Sequence, residues 1–306
     1  MKRWPALDIR LPQQNGGEAG HVPGFFAAWL DDFSPTAVTE LEGTGEHALA
    51  WRVFFATDEA RATAARALAE AAEWAGASAA TIDIDDEAWA ERSQASLTAI
   101  RVGRVVVTPP WDRERAATLA DEAGTGDASG PAAGAAPVII TIEPSMGFGT
   151  GHHESTRLCL SALQRTPLAG RSVVDVGTGS GVLAIAAAQL GAARAVGIDD
   201  DGDALDSAAA NVTLNAIPTG RVEMRRGNLL AEALPVADVV LGNLTGALLR
   251  RAAATLIAAV APGGRLIVSG FTEDERLAIE HAFAPLAVAD AESEHGWLAL
   301  TFGAPA

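Results

Sequence analysis

The chain has 306 residues, of which 49% are hydrophobic, and its formal net charge at pH 7 is −17. This length suits one large domain or two smaller ones with a substantial core. The excess of acidic residues argues against a broad nucleic-acid-binding surface. It favours a basic partner, although solubility alone accounts for such a charge equally well.

The sequence carries no sign of export or membrane insertion. No apolar run approaches the roughly 20 residues that a bilayer-spanning helix needs. The N-terminal stretch MKRWPALDIR has neither the apolar core nor the cleavage site of a secretory signal. The sole cysteine, Cys159, cannot form an intramolecular disulfide and fits a reducing compartment. We therefore expect a cytoplasmic protein that is not bound to a membrane. We also expect a monomer.

Residues 1–86 are predicted to form a unit of their own, in the order strand, helix, strand, strand, helix, strand. The predicted strands are 6–11, 37–42, 50–56 and 80–85, and the predicted helices are 23–33 and 59–75. This order is the ferredoxin-like split βαβ pattern, a small α+β domain. Such units often serve as recognition modules, although the fold alone does not establish the function.

A connecting region follows. Residues 87–101 are predicted to be a linker helix, with Trp89 as an apolar anchor. Strands are predicted at 100–108 and 138–142. Between them, residues 113–136 are small, polar and rich in Gly and Ala, so they cannot bury much surface. We expect an exposed, mobile insertion there.

The rest of the chain alternates strands and helices, which is typical of a parallel sheet covered by helices. The predicted strands are 173–176, 195–198, 222–225, 237–241 and 265–269, and the predicted helices are 156–163, 181–190, 203–215, 246–260 and 273–283. Residues 288–292 and 297–302 fit a closing antiparallel hairpin. We therefore expect an α/β domain over 102–306 with a mixed seven-stranded sheet.

The segment VVDVGTGSG at 173–181 combines a buried strand with a glycine-rich turn and the start of a helix. Gly177, Gly179 and Gly181 allow a tight turn that lies close against a ligand. Asp199 ends the next strand, 22 residues after Gly177. A carboxylate at that position can accept hydrogen bonds from ribose hydroxyls, so the pattern predicts a nucleotide site.

The spacing of the glycines bears on which nucleotide binds. Gly179, Gly181 and Ala184 fit a loose form of the dinucleotide fingerprint. However, the turn reads G-x-G-x-G, with Asp175 two residues before its first glycine. An acid, this turn and a second acid closing the next strand resemble the S-adenosylmethionine site of Rossmann-like class I methyltransferases.

Several longer segments resemble one family, the ribosomal protein L11 methyltransferases. They are EPSMGFGTGHHESTRLCLSAL, the glycine-turn segment through GIDDD, DVVLGNL, PGGRLIVSG and VGRVVVTPPW. The FGTG-H loop ahead of the glycine turn is the most discriminating of these. The resemblance covers nearly the whole chain outside the 113–136 insertion. It departs mildly at Gly242, where the family usually has Ala.

The resemblance implies a transfer of methyl groups from S-adenosylmethionine to lysine ε-amines and the terminal α-amine of ribosomal protein L11. It implies that the front domain holds the substrate and that the two domains swing about the linker. Carried over by position, it implies cofactor contacts from Thr156, Gly177, Asp199 and Asn243, with the 148–151 loop closing over the ligand. Our full set of candidate cofactor residues is Phe148, Gly149, Thr150, Gly151, Thr156, Gly177, Gly179, Asp199 and Asn243.

The chemistry of methyl transfer needs few catalytic groups. A sulfonium donor is already activated, so the protein chiefly positions and desolvates the reactants. The attacking amine must lose a proton, and hydrogen-bond acceptors near the amine can assist this deprotonation. Asn243 and the backbone carbonyls of Leu244 and Thr245 are candidate acceptors at the end of the fourth strand. We assign no general base.

Other interpretations stay open at this point. His152, His153 and Glu154 could suggest a metal, but no second cluster completes a site, so we expect none. The enzyme could methylate another protein, a small molecule or RNA. The same fold could also belong to a dinucleotide-binding or non-catalytic protein.

Overall fold

The computed structural model describes residues 3–12, 30, 33, 35–41, 47–71, 77–85, 97–125, 136–144 and 151–305. The chain divides into two compact units, Met1–Ser96 and Leu97–Ala306. The unit boundary lies within the predicted linker helix. Of that predicted helix, residues 87–96 are outside the described residues. Residues 97–101 are not helical, so the prediction is wrong for them.

The first unit contains a four-stranded antiparallel sheet in the order β2-β3-β1-β4. The elements are β1 (Arg3–Pro12), β2 (Ala37–Leu41), β3 (His47–Phe54), α1 (Asp58–Glu70) and β4 (Ser78–Asp85). Thr57 caps α1 by accepting a hydrogen bond from the Ala60 amide. The strand order agrees with the ferredoxin-like prediction. The predicted helix 23–33 falls almost entirely outside the described residues.

The core of this unit comes from alternating side chains on the sheet and one face of α1. Leu7 and Ile9 of β1 pack with Trp51 and Val53 of β3 and with Leu68 of α1. These positions alternate along each strand because successive side chains point to opposite faces.

The second unit is built on a seven-stranded sheet in the order β10-β9-β8-β11-β12-β14-β13. Its strands are β8 (Ser172–Val176), β9 (Arg194–Asp199), β10 (Val222–Arg226), β11 (Ala237–Asn243), β12 (Val260–Thr272), β13 (Ala287–Glu294) and β14 (Trp297–Gly303). The first five positions in the sheet are parallel neighbours, and β14 is antiparallel to both β12 and β13. The mixed seven-stranded prediction is confirmed.

Helices cover both faces of this sheet. They are α3 (Glu154–Arg165), α4 (Val182–Gln189), α5 (Gly202–Leu214), α6 (Gly246–Ala258) and α7 (Arg276–Ala282). Val173 of β8 packs into the core on one face, and Val174 packs into the core on the other. A strand buried on both faces is apolar at nearly every position, which is why the sequence marked it so clearly.

Two predicted boundaries near the C-terminal half are wrong in detail. The structure ends α6 at Ala258, two residues before the predicted end, and starts β12 at Val260, five residues before the predicted start of the strand 265–269. The predicted helix 273–283 is a 3-10 turn, Glu273–Glu275, followed by α7.

A small three-stranded sheet precedes the large one. It consists of β5 (Ile100–Val102), β6 (Val105–Thr108) and β7 (Val138–Thr141), with β5 antiparallel and β7 parallel to β6. The predicted single strand 100–108 is wrong, because the chain reverses at Gly103, whose φ is +57°.

The predicted mobile insertion is also wrong over its first half. Residues Arg113–Thr125 form a helix, α2, that connects the parallel strands β6 and β7. Ala116 and Ala120 are buried against Val106 and Ala99. Alanine has high helix propensity and lets a helix approach a strand closely, so a segment without large apolar side chains still packs. Residues 126–135 lie outside the described residues.

Candidate active site

The glycine turn follows β8 and lies against the end of β9. The amides of Gly177 and Thr178 both donate to the Ile198 carbonyl, at 2.8 and 3.0 Å. Gly177, Gly179 and Gly181 have φ values of +69°, +51° and +80°. Residues with a Cβ atom rarely adopt this left-handed backbone conformation, so all three positions favour glycine. The result is an open loop of backbone at the carboxyl edge of the sheet.

Gly177 is needed for space as well as for conformation. A Cβ atom at this position would overlap the Leu244 side chain, which follows the end of β11. The turn after β8 and the residues after β11 are therefore in direct contact. This contact brings two predicted parts of the site together, the glycine turn and Asn243-Leu244.

Asp175 braces the turn from below. Its Oδ2 atom accepts hydrogen bonds from the Thr178 hydroxyl at 2.6 Å and from the Ala184 amide at 3.2 Å. The side chain is buried, and this burial raises the pKa of Asp175 to about 6. Its other oxygen, Oδ1, is buried and accepts no hydrogen bond from the described residues. The carboxyl thus ties β8 to the turn and to the start of α4.

Asp199 links the end of β9 to the same turn. Its Oδ2 atom accepts a hydrogen bond from the Gly179 amide at 2.9 Å, and its Oδ1 atom accepts one from the Asp201 amide at 3.1 Å. Partial burial raises the pKa of Asp199 against these hydrogen bonds, which lower it. Each carboxylate oxygen can accept more than one hydrogen bond, so Asp199 keeps capacity for a ligand.

Asn243 and Thr156 lie together although they are far apart in sequence. The Asn243 Nδ2 atom donates to the Thr156 hydroxyl at 3.1 Å. Thr156 is buried in the first turn of α3, and Asn243 ends β11. The Leu244 amide donates to the Ser269 carbonyl of β12 at 2.9 Å, which fixes the chain directly after Asn243. Two of the predicted cofactor residues are therefore neighbours.

Two asparagines that the sequence analysis does not single out, Asn211 in α5 and Asn215 directly after it, make long-range hydrogen bonds. Asn211 is buried, donates to the Ser180 carbonyl at 2.9 Å and accepts from the Glu143 amide at 2.8 Å. Asn215 accepts from the Thr141 amide at 2.8 Å. These bonds join the glycine turn to the segment that leaves β7. The one available signal was a polar residue on the apolar face of a predicted helix.

The loop before α3 is described only at its end. Phe148, Gly149 and Thr150 lie outside the described residues. Gly151 is buried with a φ of +87°, and a Cβ there would press against Val107 of β6. Gly151, the last residue of the loop, therefore has a left-handed backbone conformation and packs against the small sheet.

The two histidines that follow have structural contacts. A ring nitrogen of His152 lies 2.8 Å from the Thr98 carbonyl, and the side chain of His153 caps α3 by accepting from the Ser155 amide. Desolvation lowers the pKa of His153. Within the described residues, no group of three or more His, Cys, Asp or Glu side chains is arranged to hold a metal ion.

The single cysteine, Cys159, and the lengths of the helices bear on the class of protein. Cys159 is buried, and burial raises the pKa of its thiol, so it is not an activated nucleophile. The helices in the described part of the chain are all too short or too polar to cross a bilayer.

The fold and the site together define a class. Three features are those of a Rossmann-like methyltransferase domain: a seven-stranded sheet with an antiparallel strand inserted next to its edge, a glycine turn after β8, and an acid at the end of β9. The profile of the ribosomal protein L11 methyltransferases matches residues 31–304. The chain belongs to this family.

Individual relatives agree with the family match. The ribosomal protein L11 methyltransferase of Pelotomaculum thermopropionicum is 38% identical over 223 residues, which are 72% of this chain and 67% of the relative. That of Cupriavidus metallidurans is 37% identical over 227 residues, covering 73% of this chain and 66% of the relative. The alignments therefore span about two thirds of each relative.

A solved structure is similar as well. The crystal structure of a ribosomal protein L11 methylase from Lactobacillus delbrueckii subsp. bulgaricus superposes with a TM-score of 0.56 at 25% identity. The superposition covers 69% of this chain and 99% of that one.

Proposed function

We propose that this protein transfers methyl groups from S-adenosylmethionine to amino groups of ribosomal protein L11. Family membership supports the substrate, since the relatives are named ribosomal protein L11 methyltransferases. The observation that carries the proposal is the convergence of the glycine turn, Asp199, Thr156 and Asn243 at the carboxyl edge of one sheet. Ligands of open α/β sheets bind at that edge.

The residues at this edge fit the cofactor. Gly177 and Gly179 carry no side chains of their own, so their backbone can lie close to a ligand. Asp199 is part-buried at the end of β9 and can accept hydrogen bonds from ribose hydroxyls. The cofactor supplies an activated methyl group on a sulfonium. We assign Thr156 and Asn243 to its amino-acid side of the site, and the loop 148–151 to its cover.

The protein's own contribution to the reaction is positioning, desolvation and help with a proton. A lysine amine has an ordinary pKa of about 10.4 and must be neutral to attack. Transfer into a poorly hydrated pocket lowers that pKa. Asn243 donates through Nδ2 to Thr156, which leaves its Oδ1 atom to accept a hydrogen bond from the amine. The amine's proton leaves to solvent, and no side chain is assigned as a general base.

We further propose that residues 1–86 hold the protein substrate and that 102–306 perform the transfer. The net charge of −17 suits a basic partner, because opposite charges favour encounter. The reaction is placed in the cytoplasm, where ribosomal proteins are made, and one chain supplies every assigned residue. No nucleic acid is required as a partner.

A binding titration tests the cofactor assignment before any substrate is added. S-adenosylhomocysteine at 100 times its dissociation constant should stabilise the protein by about 2.7 kcal/mol. For a domain of this size, that is a rise in melting temperature of about 5–10 °C. NAD at the same concentration should produce no rise. Stabilisation by NAD and not by S-adenosylhomocysteine would reject the methyltransferase proposal in favour of a dinucleotide-binding protein.

A further inference from the structure

A polar ladder joins α3 to the edge strand β13. Three acidic residues at alternate positions of β13 face three polar residues spaced four apart on α3. The pairs are Arg157 with Glu294, Ser161 with Glu292, and Arg165 with both Asp290 and Glu292. Residues four apart on a helix lie on one face, and alternate residues of a strand lie on one side, so the two periods match.

The Arg157–Glu294 pair, which lies nearest the candidate active site, differs in geometry from the other pairs of the ladder. The Nε and Nη2 atoms of Arg157 donate hydrogen bonds to both carboxylate oxygens of Glu294, at 2.8 to 3.1 Å. The same guanidinium pairs with Glu154 at 3.1 Å and donates to the His152 carbonyl. Both partners of the main pair are largely shielded, with side-chain exposures of 21% and 34%. One arginine therefore joins the hairpin, the start of α3 and the chain entering it.

Two more contacts connect the same segments. The ring of His153 packs edge-on against Trp297, with ring centroids 4.5 Å apart. His295, at the hairpin turn, lies 3.4 Å from Glu154. The stretch 152–157 is thus held by the tip of the β13–β14 hairpin.

The held stretch contains Thr156, the hydrogen-bond partner of Asn243. The first turn of a helix has backbone N–H groups without helical acceptors and is the part that frays most readily. A two-point arginine–carboxylate pair fixes both distance and orientation. The placement of Thr156, and through it the orientation of the Asn243 amide, therefore depends on a contact made by the next residue along the chain.

We propose that the Arg157–Glu294 pair is a positioning device for methyl transfer. It sets the first turn of α3 so that Thr156 holds Asn243 in the orientation that accepts a hydrogen bond from the substrate amine. This role rests on the proposed function. Arg157 and Glu294 are positioning residues, because they act through Thr156 and Asn243.

The test compares Glu294→Gln with Asp290→Asn in the full chain. Both substitutions remove the negative charge of one ladder partner on the same face of β13. Asp290 pairs with Arg165, eight residues further along α3 and about 12 Å from Arg157 along the helix axis. We measure the melting temperature, kcat at saturating S-adenosylmethionine and ribosomal protein L11, and hydrogen–deuterium exchange of amides 155–158 without ligand.

We expect both variants to lose no more than about 3 °C in melting temperature, as for partly exposed ion pairs. Glu294→Gln should lower kcat roughly tenfold and speed amide exchange at 155–158, since small displacements of positioning groups have large effects on rate. Asp290→Asn should keep kcat within about twofold. Arg157→Lys keeps the charge but not the two-point geometry, so it should lower kcat in the same direction as Glu294→Gln.

Equal effects of Glu294→Gln and Asp290→Asn on kcat, or an unchanged kcat in Glu294→Gln, would overturn the inference. Faster exchange at 155–158 with unchanged kcat would also overturn it, since the pair would then be structural alone. A failure of the proposed function would give a different result. In that case the unsubstituted protein itself would bind no S-adenosylhomocysteine and transfer no methyl group.

Discussion

Asn243 ends β11 and donates a 3.1 Å hydrogen bond to the hydroxyl of Thr156, which lies 87 residues earlier in the first turn of α3. This bond uses the amide NH₂ group of Asn243. The amide oxygen is thereby assigned to the opposite side, where it can accept a hydrogen bond. The bond therefore fixes the orientation of the Asn243 side chain relative to the first turn of α3.

Replacement of Thr156 by Val tests this link. Valine has the same shape but no hydroxyl, so the Asn243 NH₂ group loses its acceptor. A buried donor without a partner costs about 1–3 kcal/mol, and we expect kcat to fall by about fivefold or more. Thr166→Val is the matched control, because Thr166 is the C-cap residue of the same helix and its hydroxyl donates to the Ala162 carbonyl within that helix. Steady-state kinetics that show equal losses in both variants would contradict the assigned role of Thr156.

Asp199 should contribute directly to cofactor affinity. Asp199→Asn retains one oxygen to accept from the Gly179 amide, but the introduced NH₂ group cannot accept from a ribose hydroxyl. We expect S-adenosylhomocysteine to bind more weakly by about 1–3 kcal/mol, measured by titration calorimetry. The neighbouring Asp200→Asn, at an exposed carboxylate, is the control and should bind normally. An unchanged dissociation constant for Asp199→Asn would reject the ribose assignment.

Gly177 should tolerate alanine less well than a glycine with the same backbone but open surroundings. Gly170 has a φ of +74°, and no other atom lies within 4 Å of the position that a Cβ atom would take there. Gly177 has a φ of +69°, and a Cβ atom there would overlap the Leu244 side chain. Gly170→Ala should therefore cost about 1–2 kcal/mol from the left-handed backbone alone. Gly177→Ala should cost more, measured by urea unfolding, and should also weaken cofactor binding.

A double-mutant cycle with Leu244→Ala isolates the contact at Gly177. Because the overlap is with the end of a leucine side chain, shortening that side chain should recover part of the stability lost in Gly177→Ala. Additive effects of the two substitutions would show that the overlap does not occur.

Asp175 should make the stability of the protein depend on pH in an unusual direction for a carboxylate. Burial raises the pKa of Asp175 from 3.8 to about 6 in the folded protein. The folded state thus holds the proton more tightly than the unfolded chain. The stability that this proton contributes is fully present below pH 3.8 and is lost as the pH rises through about 6.

The free energy of unfolding, measured by urea at several pH values, checks this sign. The difference between the unsubstituted protein and Asp175→Asn should shift against the unsubstituted protein between about pH 4 and 6, by on the order of 3 kcal/mol. Loss of a hydrogen-bond acceptor in the variant adds an offset that does not vary with pH. A difference that is constant, or that shifts the other way, would contradict a raised pKa.

The parts of the fold that local patterns determine were predictable. The strand before the glycine turn is apolar on both faces, and Asp199 follows the next strand, so their meeting at one sheet edge follows from the parallel order. The pairing of Thr156 with Asn243 carries no local pattern. The family resemblance indicates each of the two residues as a cofactor contact, but it does not predict their hydrogen bond to each other.

Two misses have identifiable physical causes. The sequence pattern predicts a mobile insertion in place of the helix Arg113–Thr125, because Ala116 and Ala120 are small and their packing against β6 depends on close approach. Asn211 was overlooked, because its two hydrogen bonds reach Ser180 and Glu143, which are distant in sequence. In both cases, the stabilising contact is long-range, whereas the sequence patterns used are short-range.

Mass spectrometry of ribosomal protein L11 tests the central claim most directly. Purified substrate is incubated with S-adenosylmethionine and either the unsubstituted protein or Asn243→Ala, and its intact mass and peptides are measured. We predict mass increases in steps of one methyl group, located on lysine ε-amines and the terminal α-amine, and slowed at least tenfold by Asn243→Ala. An unmodified ribosomal protein L11, with methyl transfer instead to RNA or to a small molecule, would contradict the account.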